Sequence, residues 1–454
     1  MTLVAEREDR KQGVSHHSLH HLLHHPLRAE VVRGFAPWVG AAVLLTLAVT
    51  LAVESKQWQG GWAETRDELH IASGLLCVPL ALAAGCWHGG RERRRGTGEL
   101  LATAARGTLA RLLASALPLA LWVVAGYAIA AGLALLATWY CATGDSPYLI
   151  APLTDAFVLA AATLLGQVVG RLVAWRLAAP LLAAGAYVVL GFLAYDSRRA
   201  VRYLSPVLDV STSSVPVWWQ PMTLMVWTGG LATAAVLAYA ARRRWTALLP
   251  LAAATAAGAL LVQTGDGLWH TSPLAGREVC DTSTTPQVCV NARYERLLPQ
   301  VTDALSGLTD RLEGVRNLPV RYEDIPGEPT RDEAQLPIVT PIGWRVVRGQ
   351  LTDPEQYAWE AGMMLSGRGE CDEVDPRLDA VDNAVQHYLA PNPLEKQMDE
   401  QFAKWGDKAD RARLDARVAA RARLKAMGEE ERRTWLSAYF ATVDECDPGK
   451  VPTL

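Results

Sequence analysis

Cysteine is the residue of this chain whose placement bears most directly on chemistry. Three of the seven cysteines fall in or beside apolar runs, where cysteine is usually a small apolar filler. The other four lie in a polar, charged region: Cys280, Cys289, Cys371 and Cys446. An even number of cysteines outside the cell predicts two disulfides, and we expect Cys280–Cys289 and Cys371–Cys446 because the first pair closes a short local loop. A zinc site is the alternative, although this region contains no CxxC pair.

Histidines near the start of the chain form the densest group of potential metal ligands. Residues 15–25 read SHHSLHHLLHH, which would place six imidazoles on one broad face of a helix. Neutral imidazole is a common metal ligand, so a metal or proton sensor is one interpretation. An amphipathic or flexible tail at the membrane surface is the other.

Carboxylates provide two further candidate sites. Asp155 lies near one end of an apolar run, and a carboxylate inside a membrane is a functional candidate, whereas one at the interface is readily solvated. A group of four acidic residues around Cys371 would either bind calcium or form a solvated loop: Glu370, Asp372, Glu373 and Asp375. Neither pattern identifies a ligand by its spacing alone.

The motifs of the common enzyme classes are absent from the sequence. There is no GxxxxGK[ST] phosphate loop, no HExxH metal motif and no GxSxG nucleophile elbow. His387 in VQHYLA is predicted to be structural, and His270 beside Trp269 is predicted to be interfacial. We therefore expect a protein that is not an enzyme, with no catalytic residue, metal or cofactor site of its own.

The elements that carry these residues divide into an apolar and a polar half. Up to about Gln263 the chain is rich in Leu, Ala, Val and Gly, and from Thr264 onward it is charged and interrupted by prolines. An apolar window of about 18 residues is long enough to cross a bilayer. Such windows predict about seven transmembrane helices, near residues 35–53, 70–87, 114–140, 150–169, 177–195, 222–241 and 246–262.

The predicted fold class is therefore an α-helical polytopic membrane protein. Residues 1–33 would form a cytoplasmic His-rich tail and an interfacial elbow, and residues 34–263 the transmembrane domain. A separate interfacial helix is expected at 103–113, between the second and third spans. Dense small residues in the spans favour a compact helix bundle, although high Ala, Arg and Leu usage is also typical of a GC-rich bacterial genome.

Arginines set the predicted orientation of the spans. The loop after the second span reads RERRRGTGELL at residues 91–101 and carries four arginines in five positions. With the N-terminus inside, the inner segments hold about three times as many basic residues as the short outer loops, as the positive-inside bias requires. We expect a multi-pass plasma-membrane protein with a cytoplasmic N-terminus and an extracytoplasmic C-terminal domain.

The C-terminal domain, residues 264–454, is predicted to be mainly helical with minor β structure. Helices are expected at 292–315, 354–365, 376–389, 393–405, 408–427 and 429–445, and short strands at 318–322 and 344–347. Pro354, Pro376 and Pro393 each stand where a helix can start. About 190 residues are enough to bury a separate core.

The arginine loop carries a resemblance to a known family. GTGELLAT at residues 96–103, preceded by Glu92, resembles the cytoplasmic loop of type-2 ABC exporter permeases, which typically shows a Glu, a Gly-Thr, a Glu-Leu-Leu and an Ala-Thr-Pro. The layout of residues 26–241 is also similar: a basic elbow, six spans and a re-entrant outer segment before the sixth. The chain differs at Ala105, where many members have proline, in its seventh span and in its C-terminal domain.

The resemblance implies that this loop docks into a separate ABC ATPase subunit. The residues it places on or near the coupling helix are Glu92, Gly96, Thr97, Glu99 and Leu100. It further implies that ATP is bound by that partner, that the permease forms a homodimer or heterodimer in the lipid bilayer, and that no nucleic acid is involved. A transporter driven in this way needs a rigid cytoplasmic element with two discrete packings.

Two other functions are compatible with the sequence. The main alternative is a membrane-anchored sensor or scaffold whose outer domain binds a ligand or protein partner without transport. A membrane-bound enzyme acting at the outer surface is a third hypothesis, but no nucleophile, base or metal constellation is visible.

Overall fold

The computed structural model describes the chain from Gly34 onward, with interruptions. The described residues are 34–96, 107–142, 146–173, 175–195, 200–208, 211–325, 330, 332–339, 345–368, 371 and 375–454. The predicted tail and elbow at 1–33 lie outside them. So do Thr97, Glu99 and Leu100, and three of the four acidic residues around Cys371.

Apolar helices form the first of two compact units, here called the membrane unit. In chain order they are α1 Ala36–Val53, α2 Trp62–Gly89, α3 Arg91–Arg94, α4 Thr108–Trp139, α5 Ile150–Leu172, α6 Ala178–Tyr195, α7 Gln220–Ala240 and α8 Leu248–Thr264. Among the described residues, six stretches are long and apolar enough to cross a membrane, namely α1, α2, α4, α5, α7 and α8 with its flanking turns, and α6 is a shorter apolar helix. This is the architecture of an α-helical multi-pass membrane protein.

Each of the seven predicted windows overlaps one of these helices, but two helix starts differ. Helix α2 begins at Trp62 and not near residue 70, because its charged first turns had the composition of a loop. The separate interfacial helix predicted at 103–113 is wrong for residues 108–113, which form the first turns of α4. No strong break separates those turns from the span, and Pro118 is accommodated inside the helix.

Glycines bring α2 and α5 into backbone contact. On four of them, a Cβ would lie only 2.0 to 2.3 Å from a carbonyl oxygen of the other helix: Gly85, Gly89, Gly166 and Gly170. The two glycines of each helix are four residues apart, which is the GxxxG spacing of close helix pairs in membranes. Backbone approach at this distance leaves no room for a side chain.

The second unit, here called the C-terminal unit, is built from three parts of the chain. It contains Thr271–Leu454 together with Ser55–Glu64 and Ala137–Ser146. No pattern in the sequence separates the two short segments from the spans that they connect. The predicted domain boundary follows residue 263, whereas the observed division between the two units falls after His270.

Within the described residues of Thr271–Leu454, six helices and six strands belong to the C-terminal unit. The helices are α9 Leu298–Leu312, α10 Pro354–Ser366, α11 Pro376–Leu389, α12 Glu395–Trp405, α13 Lys408–Ala426 and α14 Glu429–Phe440. After the short strands β1 Ser214–Pro216 and β2 Trp269–Thr271, the strands are β3 Glu278–Asp281, β4 Gln287–Asn291, β5 Arg321–Glu323, β6 Glu333–Gln335, β7 Val346–Val347 and β8 Gln350–Leu351. Short helical turns lie at Ser55–Trp58, Ala200–Leu204, Arg244–Ala247, Gly265–Leu268 and Ala292–Leu297.

A four-stranded sheet is the main feature that sequence analysis missed in this unit. Its order is β3-β4-β5-β6, with β3 and β4 antiparallel and the other two pairs parallel. The apolar face of α9, which carries Val301, Leu305 and Leu308, belongs to the same buried core as Val288 and Tyr322 of the sheet. The unit therefore has a core of its own.

The structure joins the same cysteines that the sequence pairs. Cys280 and Cys289 face each other across β3 and β4. Cys371 and Cys446 connect the chain after α10 to the chain after α14. The three remaining cysteines are buried and unpaired with one another.

Candidate functional site

The short helix α3 carries Glu92, one of two predicted coupling residues among the described residues. Its Oε1 lies 3.1 Å from Nη2 of Arg171 at the end of α5. The Arg171 side chain is only 9% exposed, and the same nitrogen donates to Ser115 Oγ on α4 at 2.9 Å. Gly96, the second predicted residue, has a φ of +65°, a left-handed conformation that glycine adopts without strain.

Further polar contacts extend this cluster to a third span. Gln167 of α5 donates from Nε2 to Ser115 Oγ at 3.1 Å, and His88 Nδ1 of α2 lies 3.4 Å from Gln167 Oε1. We call the group Glu92, Ser115, Arg171, Gln167 and His88 the Glu92–Arg171 network. It ties α3 to α2, α4 and α5.

Arg93 adds a backbone contact between α3 and α5. Its Nη1 donates at 3.1 Å to the carbonyl oxygen of Leu172, the last residue of α5. The final carbonyls of a helix lack intrahelical partners and carry the negative end of its dipole, so a guanidinium is favoured there. A displacement of α3 would therefore act directly on the end of α5.

Further arginines of the membrane unit lie at this end. Thr108 Oγ1 at the start of α4 donates to the carbonyl oxygen of Ala240 at the end of α7, at 3.0 Å. Three exposed arginines follow directly on α7: Arg242, Arg243 and Arg244. They lie at the same end as α3 and the end of α5, which carries Arg171.

A second polar cluster surrounds Asp155, the carboxylate that the sequence identified. Asp155 is 6% exposed. His70 Nδ1 lies 2.8 Å from its Oδ1, and the hydroxyl of Tyr127 donates to its Oδ2 at 3.1 Å. Because α2, α4 and α5 each contribute one of these residues, both oxygens of a buried carboxylate are satisfied between spans.

The Asp155 cluster borders a small cavity. The cavity has a volume of about 90 Å³, and its polar lining includes Arg66, Asp67, Thr154 and Tyr203. A π-helical stretch, Ser73–Cys77, begins three residues after His70. Such stretches are rare and occur frequently at functional sites. The cluster can share a proton between imidazole and carboxylate, and the cavity can hold a few water molecules or a small polar group.

A buried carboxylate also anchors the segment Ser55–Glu64 within the C-terminal unit. Oε1 of Glu64 accepts from the hydroxyl of Tyr294 at 2.6 Å and from Nη2 of Arg293 at 3.3 Å. Burial, together with the nearby Glu64 carboxylate, raises the pKa of Tyr294 well above its usual range. Arg348 Nε donates to Gln59 Oε1 at 2.8 Å in the same segment.

Sequence reasoning found Glu92 and Asp155 but missed their partners. Arg171 served only as an orientation signal, His70 marked only the start of a predicted span, and Ser115 and Tyr127 were not identified. Residues 70 and 155 are 85 positions apart, so no local spacing rule could relate them. His387, which the sequence predicts to be structural, has its Nδ1 2.6 Å from Oε2 of Glu395 in α12.

Comparison of the chain with protein-family models, with curated proteins and with solved structures finds no match.

Proposed function

We propose that this chain is the membrane permease subunit of an ATP-driven exporter of the type-2 ABC class, with ATP bound by a separate ATPase subunit. The observation that carries the proposal is the attachment of α3 to the spans through Glu92, Arg171 and Ser115. The segment that follows α3 has the sequence that resembles the coupling loop of that class. A loop fastened to three spans can pass a displacement from a soluble partner into the membrane unit.

The gathered arginines support a cytoplasmic location for this end of the membrane unit. Arg91–Arg94 of α3, Arg171 of α5 and the arginines that follow α7 share one end of the helix bundle. Lys and Arg are enriched in cytoplasmic loops, so this end would face the ATPase.

The three chain segments that make up the C-terminal unit support seven membrane spans. Segments that belong to one compact soluble unit lie on one side of a membrane, so an even number of crossings must separate them. Helices α2 and α4 separate Ser55–Glu64 from Ala137–Ser146, and α5, α6, α7 and α8 separate the latter from Thr271–Leu454. The shorter α6 must then cross as well, and its 18 residues reach about 27 Å at about 1.5 Å per residue.

With a cytoplasmic N-terminus, seven spans support an extracytoplasmic location for the C-terminal unit. Its two cysteine pairs are at disulfide distance, and disulfides persist in that oxidising environment. The unit would receive, gate or hand on the exported substrate, and a second permease chain would complete the transporter.

One observation favours the alternative of a scaffold that binds a protein partner without transport. Helix α12 has no buried residue. Exposed apolar side chains form a stripe along the helix and its N-cap residue: Leu394, Met398, Phe402 and Trp405. An exposed apolar patch of this kind is typical of an interaction surface. A scaffold would need no ATPase, which separates the two functions experimentally.

Affinity purification from native membranes in mild detergent, followed by mass spectrometry, tests the proposal. We expect an ABC ATPase to co-purify with the native chain and to be lost from Glu99→Arg. Glu313→Arg is the matched control, because it makes the same charge change at an exposed residue of the C-terminal unit. Absence of an ATPase while other membrane complexes survive, or its equal loss from both variants, would contradict the permease function.

A further inference from the structure

A cavity of about 470 Å³ opens beside α3, at the arginine-rich end of the membrane unit. Its size lies in the range of roughly 300–1,000 Å³ that is usual for ligand sites. The residues that line it are Gly34, Phe35, Trp87, His88, Arg91, Arg94 and Arg95. Neither the Asp155 cluster nor Glu92 and Gly96, the described coupling residues, belong to this lining.

The charge of the lining selects an anion. Among the described residues that line the cavity, three carry a guanidinium group and none carries a carboxylate. Guanidinium binds phosphate through parallel hydrogen bonds and a full positive charge. The ligand chemistry is therefore that of a phosphate group.

Arg94 is already held in place. Its guanidinium carbon lies 4.3 Å from the centre of the Trp87 ring, and its Nη2 donates to the carbonyl oxygen of Trp87. A cation stacked on an aromatic face and bonded at one edge has lost most of its rotamer freedom. Binding an anion then costs less conformational entropy than it would at a flexible surface arginine.

The apolar walls of the cavity distinguish a lipid from a free anion. Trp87 is 45% exposed and Phe35 is 38% exposed, and both lie at the ends of spans. Phe35 also stacks on His88, with ring centroids 6.5 Å apart and planes within 8°. Aromatic rings at this position mark the headgroup level of a bilayer, where acyl chains begin.

We propose that this cavity binds the phosphate of an anionic glycerophospholipid from the leaflet at the arginine-rich end. Inorganic phosphate shares the ligand chemistry but would not use the exposed aromatic walls. The inner leaflet is rich in anionic lipid, and basic pockets at span ends are suited to such headgroups. The site goes beyond the proposed export function and needs no ATPase to form.

Lipid at this site would also influence the Glu92–Arg171 network. Arg91, Arg94 and Glu92 share α3, and His88 contacts both the cavity and Gln167. An occupied cavity would hold α3 in one position, which links the lipid composition of the membrane to the geometry of the loop.

The test uses the full chain, delipidated in a neutral detergent and titrated with short-chain phospholipids while tryptophan fluorescence is recorded. We expect saturable binding of dioctanoyl phosphatidylglycerol and no saturable binding of dioctanoyl phosphatidylcholine or inorganic phosphate. Arg91→Gln with Arg94→Gln and Arg95→Gln should weaken phosphatidylglycerol binding about tenfold or more. The matched control changes Arg242, Arg243 and Arg244 to Gln, removes the same charge at the same end, and should bind as the native chain does.

Loss of binding in the triple variant would also follow from misfolding, so the single variant Arg95→Gln is measured as well. Arg95 is exposed, and its replacement should leave the fold intact and weaken phosphatidylglycerol binding about threefold. Equal losses in both triple variants, or equal binding of the two phospholipids, would overturn the proposal. Binding of inorganic phosphate as tight as that of phosphatidylglycerol would assign the site to a free anion and overturn the lipid assignment. All of these outcomes are independent of whether an ATPase co-purifies.

Discussion

Backbone contact at glycines holds α2 against α5 in the membrane unit, whereas interlocked Leu, Val and Tyr side chains form the core of the C-terminal unit. Lipid is as apolar as leucine, so apolar side chains gain little by leaving it, and close packing and polar contacts must hold the spans together. In water, burial of apolar side chains itself drives folding. The polar contacts between the spans therefore stabilise the membrane unit and also form its candidate functional sites.

The largest expected effect comes from filling one of the glycine contacts. A Cβ at Gly166 would lie 2.1 Å from the carbonyl oxygen of Leu82, so Gly166→Leu must separate α2 from α5. We expect a loss of several kcal/mol and failure to purify as a single folded species. Reaction of a maleimide dye with the buried Cys77 and Cys86 during heating measures the unfolding of the membrane unit.

Gly132→Leu is the matched control for that experiment. An added Cβ at Gly132 of α4 meets no heavy atom within 4 Å. The same substitution there should therefore change the midpoint temperature of unfolding of the membrane unit little. Equal destabilisation by both variants would show that the glycines matter for helix propensity and not for the contact between α2 and α5.

The stability of the C-terminal unit should depend instead on its disulfides, and the disulfide that closes the longer loop should contribute more. The Cys371–Cys446 pair spans 75 residues and the Cys280–Cys289 pair spans 9. The loop-entropy model gives about 4 kcal/mol for the first pair and about 3 kcal/mol for the second. Replacing both cysteines of each pair by serine should lower the unfolding midpoint of the C-terminal unit in that order. An unchanged midpoint in reductant would contradict the expectation.

A smaller effect, dependent on pH, is expected at Asp324 of the C-terminal unit. Burial, with a contribution from the negative charge of Glu278, raises the pKa of Asp324 to about 7. A carboxyl whose pKa is raised on folding stabilises below its unfolded pKa, and that stability is lost as pH rises from about 4 to about 7. Asp324→Asn removes the ionisation, so this variant should be the more stable one at pH of about 8 and nearly equal at about 4.

Unfolding midpoints across that pH range check the Asp324 expectation. Asp303→Asn on the exposed side of α9 serves as the control and should follow the native curve. Parallel curves for the native chain and Asp324→Asn would show that this carboxyl does not control the pH response.

Local signals account for the parts of the fold that the sequence predicted. Helix α11 begins at Pro376 because Asp375 caps it, and its Oδ1 accepts from the backbone N–H groups of Arg377 and Leu378. Helix α13 begins after a capping box formed by Asp407 and Asp410. Both helix starts were predictable, because a capping residue or a proline at the first helical position lies within one turn of the start and can be recognised from the local sequence.

Contacts between distant segments account for what the sequence could not predict. The predicted strand at 318–322 overlaps β5, but β6 has only three residues and pairs in parallel with β5, so neither length nor alternation identifies it. The place of Glu64 beside Tyr294 depends on residues 230 positions apart. The candidate site divides in the same way, because Glu92 was found from a motif and Arg171 required the fold.

A charge exchange between Glu92 and Arg171 tests the account most directly. The complex of the chain with its co-purified ATPase, reconstituted in lipid nanodiscs, would be assayed for ATP hydrolysis. We predict that Glu92→Arg and Arg171→Glu each lower the activity about fivefold or more, because each leaves a partly buried charge without its partner. The double variant restores the ion pair and should recover most of the activity. Native activity in Arg171→Glu, or no recovery in the double variant, would contradict coupling through this pair.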